Sequence, residues 1–285
     1  MPRPLRELGP IPENLPLGPQ SLAWEIAREP ALLLSGGRAL LLQVTHPLVA
    51  AGVDQHSNYQ ADPWTRLFST LDTVMTMSFG SPAASAKAGL RLKRRHAVVN
   101  GVADDGTPYD ALDADLQLWV WATLVDSALV SYERSIGRLS SDHKARYFEE
   151  QKLLGYACGI PEGHCPATFD DFTDYLTTTI NDTLRPTKVA RDVAHQLRRP
   201  PLPRALRSVA GGPLGLVTAG LLPEPLRSDL GFPWGPRQER RLAMFFAATR
   251  AQRAIPGPLR RYPVTLAVRR ETPLKPPNWL LRPAV

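Results

Sequence analysis

Residues 112 to 132, LDADLQLWVWATLVDSALVSY, are apolar almost all the way round a helical wheel and carry two tryptophans, Trp119 and Trp121. A helix that is apolar on every side needs cover on every side. The stretch therefore predicts a central buried helix with the rest of the chain packed around it. Start signals recur on both sides. Ser21, Asp62-Pro63, Ser81-Pro82, Ser140-Ser141 and Thr168 each precede a stretch with helical periodicity, and Ser, Thr and Asp at such positions accept the orphan N–H groups of a first turn. Thr168 with Asp171 reads as a capping box with Asp in place of Glu.

The helices expected are about residues 21–28, a restart at Thr45-His46-Pro47, 63–79, 82 to near Gly101, 112–132, 141–158, 168–184, one between Pro186 and Pro200, 202–222 and 236–255. The segment DDGTPY, 104 to 109, reads as a turn or short hairpin. No long alternating β-branched run stands out. The fold class is therefore all-α: one multi-helix domain over residues 20–262, after an irregular segment 1–19 and before a Pro- and Arg-rich tail 263–285. Prolines, 29 in all, fall mostly near the ends and between periodic stretches.

Charge excludes little. Lys and Arg outnumber Asp and Glu by 34 to 27, a net +7 over 285 residues, which permits contact with nucleic acid or anionic lipid without requiring it. The two cysteines, Cys158 and Cys165, match no zinc spacing and are expected as reduced thiols. The N-terminal segment lacks the apolar core of a signal peptide, and no apolar run approaches 18 residues. These readings lead us to expect a soluble cytoplasmic protein, with peripheral membrane contact left open.

Candidate chemistry lies in two successive helices. In LKRRHAVVNG, 92 to 101, Ala88, Leu92, His96 and Val99 share one helical stripe, while Lys87, Leu90 and Arg94 project oppositely and Arg91 and Arg95 border the stripe. His96 is thus placed on the apolar face. In the preceding helix Arg66, Thr70, Thr73 and Met77 share a stripe beside Leu67, Leu71 and Val74. An arginine drawn inward needs an anion; Asp62 is the structural candidate. Together the helices offer an imidazole, cations and an apolar wall, the parts that hold a haem. His46 and His56 flank another helix; read plainly, His46 is an N-cap and His56 a surface residue, while the chemical alternative makes one of them, His46 first, an acid/base or second ligand. Asp126, inside the apolar helix, must be paired or protonated; Arg66 or a threonine is a candidate donor to it, and a structural role is the expectation. Gly36-Gly37 reads as a point of close backbone approach.

The strings GGRALLLQVTHPLVAAGV (36–53), RLFST (66–70) and RRHAVVNG (94–101) resemble the MpaB-type oxygenases, which include the bacterial latex-clearing proteins. The likeness continues through 110–127, Tyr132-Glu133, Gly159-Ile160-Pro161 and LLPEPLR (221–227). The resemblance implies an all-α fold enclosing haem b, with His96 as proximal iron ligand and Arg66 and Thr70 close to the haem. Latex-clearing members carry a lysine just before that threonine; this chain has Ser69. Three functions follow in order: a haem b-dependent oxygenase using O2 on an apolar small molecule, with Arg66, Arg91 and Arg95 as propionate partners; a haem-binding sensor or carrier without turnover; and a basic helical module for nucleic acid or anionic lipid through Arg91, Lys93, Arg94 and the tail. On the first reading no nucleic acid is bound.

Overall fold

The computed structural model describes residues 17–200, 212–268 and 273–277. Among these the order is α1 (Leu22–Ala27), a 3-10 turn (Pro30–Ser35), α2 (Gly36–Thr45), α3 (Pro47–His56), α4 (Pro63–Phe79), α5 (Pro82–His96), β1 (Asn100–Val102), β2 (Pro108–Asp110), α6 (Ala114–Ser135), α7 (Ser141–Cys158), α8 (Phe169–Asp182) and α9 (Lys188–Arg198). There follow α10 (Gly212–Leu221), α11 (Glu224–Asp229), α12 (Pro236–Ala251), α13 (Gly257–Arg260) and α14 (Tyr262–Val268). The fold is all-α apart from one small hairpin.

The apolar stretch is α6, and it is central. Asp113 caps it by accepting from the Asp115 and Leu116 amides, and α2, the 3-10 turn, α7, α10 and α12 pack around it. Trp119 and Trp121 are almost fully buried, yet neither indole N–H is stranded. Trp119 Nε1 donates to the Leu42 carbonyl at 3.1 Å and Trp121 Nε1 to the Gln151 carbonyl at 3.0 Å. Each ring thus ties α6 to a neighbour while burying apolar area worth roughly 4–6 kcal/mol gross. Asp126 is answered by Arg38, at 2.6 Å from α2. Arg38 also donates to Ser127 Oγ and the Leu221 carbonyl. Gly37 does permit close approach: a Cβ there would lie 2.2 Å from Thr218 Oγ1 of α10.

Helices α4 and α5 form an antiparallel hairpin through Gly80 and Ser81. Ser85 Oγ donates to the Thr76 carbonyl near the turn, and Arg95 Nη1 to Ser69 Oγ at 3.0 Å toward the open end. The sequence reading carried α5 to near Gly101, but it ends at His96. Gly101 does not terminate a helix; it pairs with Tyr109 in the hairpin, where the tight DDGTPY turn, with Gly106 at φ 86°, brings the strands together. Strand pairing decided this segment over helical periodicity.

The helix read as 202–222 is seen as α10 from Gly212, and its earlier part lies outside the described residues. The stretch taken as a tail from residue 263 begins as helix α14, and Arg28 Nη2 donates to its Thr265 Oγ1 at 3.1 Å. Arg260 and Arg261 both grip Glu29, at 2.8 and 2.6 Å, so the two ends of the described chain are pinned together. Both cysteines are free thiols, with burial pushing Cys158 up to about 12 and Cys165 up to about 11. Among the described residues no single helix is long and apolar enough to cross a membrane; the 3-10 turn with α2, followed by α3, passes by composition only as a pair bent by 99°.

Candidate active site

The open end of the α4–α5 hairpin collects most of the chemistry-bearing residues. His96 closes α5. Its Nδ1 is shut off from solvent with no hydrogen-bond partner. Burial, and then the adjacent Arg95 charge, hold the imidazole below its ordinary 6.5, so it is neutral at pH 7. The acceptor that would orient a ligating imidazole through Nδ1 is therefore not supplied by any described residue.

Arg66, one turn into α4, donates from Nη1 to Ser57 Oγ at the C-terminus of α3. The structural partner anticipated for it does something else: Asp62 Oδ1 accepts from the Thr65 amide, an N-cap bond. No carboxylate meets Arg66 among the described residues, and burial pushes its pKa down with nothing to pull it back. Ser69, three residues after Arg66 on α4, ties that helix to α5, since its hydroxyl accepts from Arg95. On the far side, His56 Nε2 sits 3.1 Å from the Asn100 carbonyl. The α3 C-terminus, the α4 start and the α5 end thus meet.

The stripe analysis holds for α5 in most positions. Ala88 is buried, Leu92, His96 and Val99 are half-buried, and Lys87, Leu90, Arg91, Arg94 and Arg95 are exposed. Lys93 departs from it. This lysine is 2% exposed, burial lowers its pKa, and its field reaches Cys158 of α7. It therefore cannot serve the basic surface proposed for nucleic acid or lipid. On α4, Met77 is buried but Thr70 is exposed, its hydroxyl donating to the Arg66 carbonyl one turn back at 3.0 Å. Thr73 does the same toward Ser69 at 2.9 Å.

His46 is not brought to this cluster. It occupies the N-cap position of α3 but makes no capping bond with its side chain. Its Nδ1 is enclosed and unpartnered, burial lowers its pKa, and its ring lies 6.4 Å from Trp119. Ser57 and His56 mark the other end of the same ten-residue helix, roughly 15 Å away along its axis. Asp126, weighed in the sequence as a partner for Arg66, is taken by Arg38. Sequence reasoning missed Ser57 altogether, because a serine following a helix carries no periodic signal. It also misjudged Lys93, whose charge suggested solvent.

These residues fit a haem in donor type. A neutral imidazole is a donor that haem iron takes, and a half-buried arginine without an acid suits a propionate. Among the described residues no three His, Cys, Asp or Glu side chains gather as a ligand set for a bare metal ion. A porphyrin asks only one imidazole of the protein, since its own nitrogens fill the ring plane.

Comparison with known proteins points to an oxygenase family. Residues 24–253 match the family model described as ER-bound oxygenase mpaB/B'/rubber oxygenase, catalytic domain. Two proteins described as uncharacterized, one from Mycobacterium bovis and one from Mycobacterium tuberculosis, are each 26% identical over 223 residues, covering 76% of this chain and 87% of the relative. No solved structure matches the chain significantly.

Proposed function

The chain belongs to the mpaB/rubber oxygenase catalytic-domain family, and we propose that within this oxygenase class it is a haem b-dependent enzyme using O2 on an apolar small molecule. The observation that carries the haem assignment is an arginine without a carboxylate, Arg66, and a half-buried imidazole with an enclosed, unpartnered Nδ1, His96, at one end of a helical hairpin.

Each residue has a task on this reading. His96 would hold the iron through Nε2, and its lowered pKa keeps the imidazole unprotonated and ready to ligate. Arg66 and Arg95 would neutralise propionates from α4 and α5, with Arg91 one turn before Arg95 on the same helix. Ser57 fixes the Arg66 guanidinium and Ser69 fixes that of Arg95, which keeps these long side chains from paying their full rotamer entropy on binding. Thr70 lies one turn from Arg66, exposed, with its hydroxyl donating to the Arg66 carbonyl, and would pack or hydrogen-bond at the haem face. When bound, haem supplies the electron-transfer and O2 chemistry that no side chain here offers. Leu67 and Val98, 42% and 56% exposed beside Arg66 and His96, give the surroundings an apolar character suited to the ring and to an apolar substrate. His46, at the far end of α3, is given no step.

The test is the visible spectrum of the purified protein beside His96→Ala. Wild type shows a Soret band, as isolated or after haem titration, and the variant loses it while keeping its helical circular dichroism. A variant that retains an unshifted band removes His96 as ligand. A wild type that stays colourless under titration removes the haem reading.

A further inference from the structure

A second charged region lies away from the hairpin, where α6 ends, α7 begins and α12 packs against α6. There a cleft of about 630 Å³ is lined by Glu133, Arg134, Arg138, Leu139, Lys144 and Arg250. We propose that this cleft binds a phosphate-bearing small anion.

The lining carries positive charge that the protein itself leaves unanswered. Four cations face one carboxylate in the lining. Glu133 is already fully engaged: its Oε2 accepts from Lys144 Nζ at 3.0 Å and its Oε1 from the Leu139 amide at 3.1 Å. No carboxylate pairs with Arg134, Arg138 or Arg250 among the described residues. Arg253 adds to the imbalance nearby, its Nη1 lying 3.2 Å from where a Cβ on Gly137 would sit.

Two of these cations are held in place, which is what separates a site from a loose surface patch. Arg250 Nη1 donates to the Arg134 carbonyl at 2.8 Å. That bond also answers a carbonyl in the last turn of α6, whose partial negative charge would otherwise repel an anion. The Arg134 guanidinium is positioned over the Phe246 ring at 5.7 Å. Arg250 thereby keeps donors free on its other nitrogens, and Arg138 is exposed with all of its donors available. Arginine forks match the oxygens of phosphate in pairs. The volume falls in the range of small-molecule sites and exceeds what one inorganic ion needs, which favours a diphosphate or a phosphate ester over a single monoanion.

The phosphate can come from a soluble metabolite or from a lipid headgroup, and the experiment separates them. The full-length protein is titrated calorimetrically with inorganic diphosphate at low ionic strength. In parallel it is sedimented with vesicles of phosphatidylglycerol and, as the neutral control, phosphatidylcholine. Arg138→Glu changes an exposed side chain without a structural partner, and Arg191→Glu makes the same charge change on α9 as the control. Diphosphate binding that falls at least 10-fold in Arg138→Glu and is kept in Arg191→Glu assigns the cleft to a soluble phosphate. Binding to the anionic vesicles alone, with the same pattern of loss, assigns it to a headgroup. Absence of both bindings in wild type, or equal losses in the two variants, overturns the proposal, the second because it would show only the net charge of the protein.

Discussion

Arg38 and Arg66 are both arginines drawn inward by helices, and they are treated in opposite ways. Arg38 of α2 is 5% exposed and meets Asp126, Ser127 and the Leu221 carbonyl, so its donors are spent on α6 and on the end of α10. Arg66 of α4 meets one serine hydroxyl and no acid. The helices around them differ likewise. α6 has thirteen buried residues in 22, whereas α4 has one, Met77, in 17. One region is closed on itself chemically. The other is built from the same kinds of side chain with its polar capacity unspent, which is the condition for binding something that is not protein.

The largest effect tests that contrast directly. Arg38→Ala leaves the Asp126 carboxylate without its cation and should cost about 3 kcal/mol or more in urea unfolding. Arg66→Ala, in protein free of haem, removes a desolvated charge that meets only the Ser57 hydroxyl and no carboxylate, and its unfolding free energy should change by no more than about 1 kcal/mol. Its haem affinity should instead fall about 10-fold, in line with one lost charge-assisted contact. Equal destabilisation by the two substitutions would break the comparison, because it would make Arg66 another structural arginine.

The contrast also explains what could be read beforehand. The core was legible because burial imposes periodicity: α6 announced itself through an apolar surface on all sides, and the capping residues Ser21, Asp62, Ser81, Ser140 and Thr168 each accept the predicted backbone amide. The position of His96 on an inner stripe followed from the same arithmetic. What failed depended on contacts between elements. Nothing local to Asp126 selects Arg38, 88 positions earlier, over Arg66. Lys93 stands among charged neighbours yet turns inward toward α7, and Gly101 looks like a helix stop until a strand pairs with it. The resemblance to a family supplied the role of His96; the stripe alone supplied only its direction.

A smaller effect concerns the two enclosed imidazoles, one in each region. Burial lowers the pKa of both His46 and His96 from 6.5. The unfolded chain then binds more protons than the folded one as pH drops below 6.5, so stability is fully present above that value and declines below it until the folded pKa values are reached. Glu29 adds a later loss. Burial alone would raise its carboxyl, but the hydrogen bonds and charges of Arg260 and Arg261 prevail and hold it below 4.5. That contribution is present above 4.5 and fades as pH falls through the folded value. Unfolding of the haem-free protein measured between pH 7 and 5 should show the histidine slope, and His46→Gln should flatten it in part. An unchanged slope in the variant would mean that His46 titrates normally.

The smallest structural effect is expected where the functional one is sought. Thr70 is exposed, and its hydroxyl bonds only to the Arg66 carbonyl of its own helix, an arrangement that adds little to helix stability. Thr70→Val keeps the shape and removes that donor, so the unfolding free energy should move by no more than about 0.5 kcal/mol. If Thr70 meets the haem or its ligand, the same variant alters the visible spectrum or the affinity of the ferric protein for cyanide while its melting curve stays in place. A melt shifted by more than about 1 kcal/mol with an unaltered spectrum would instead give Thr70 to the scaffold, and the unspent capacity of α4 would then reduce to Arg66 alone.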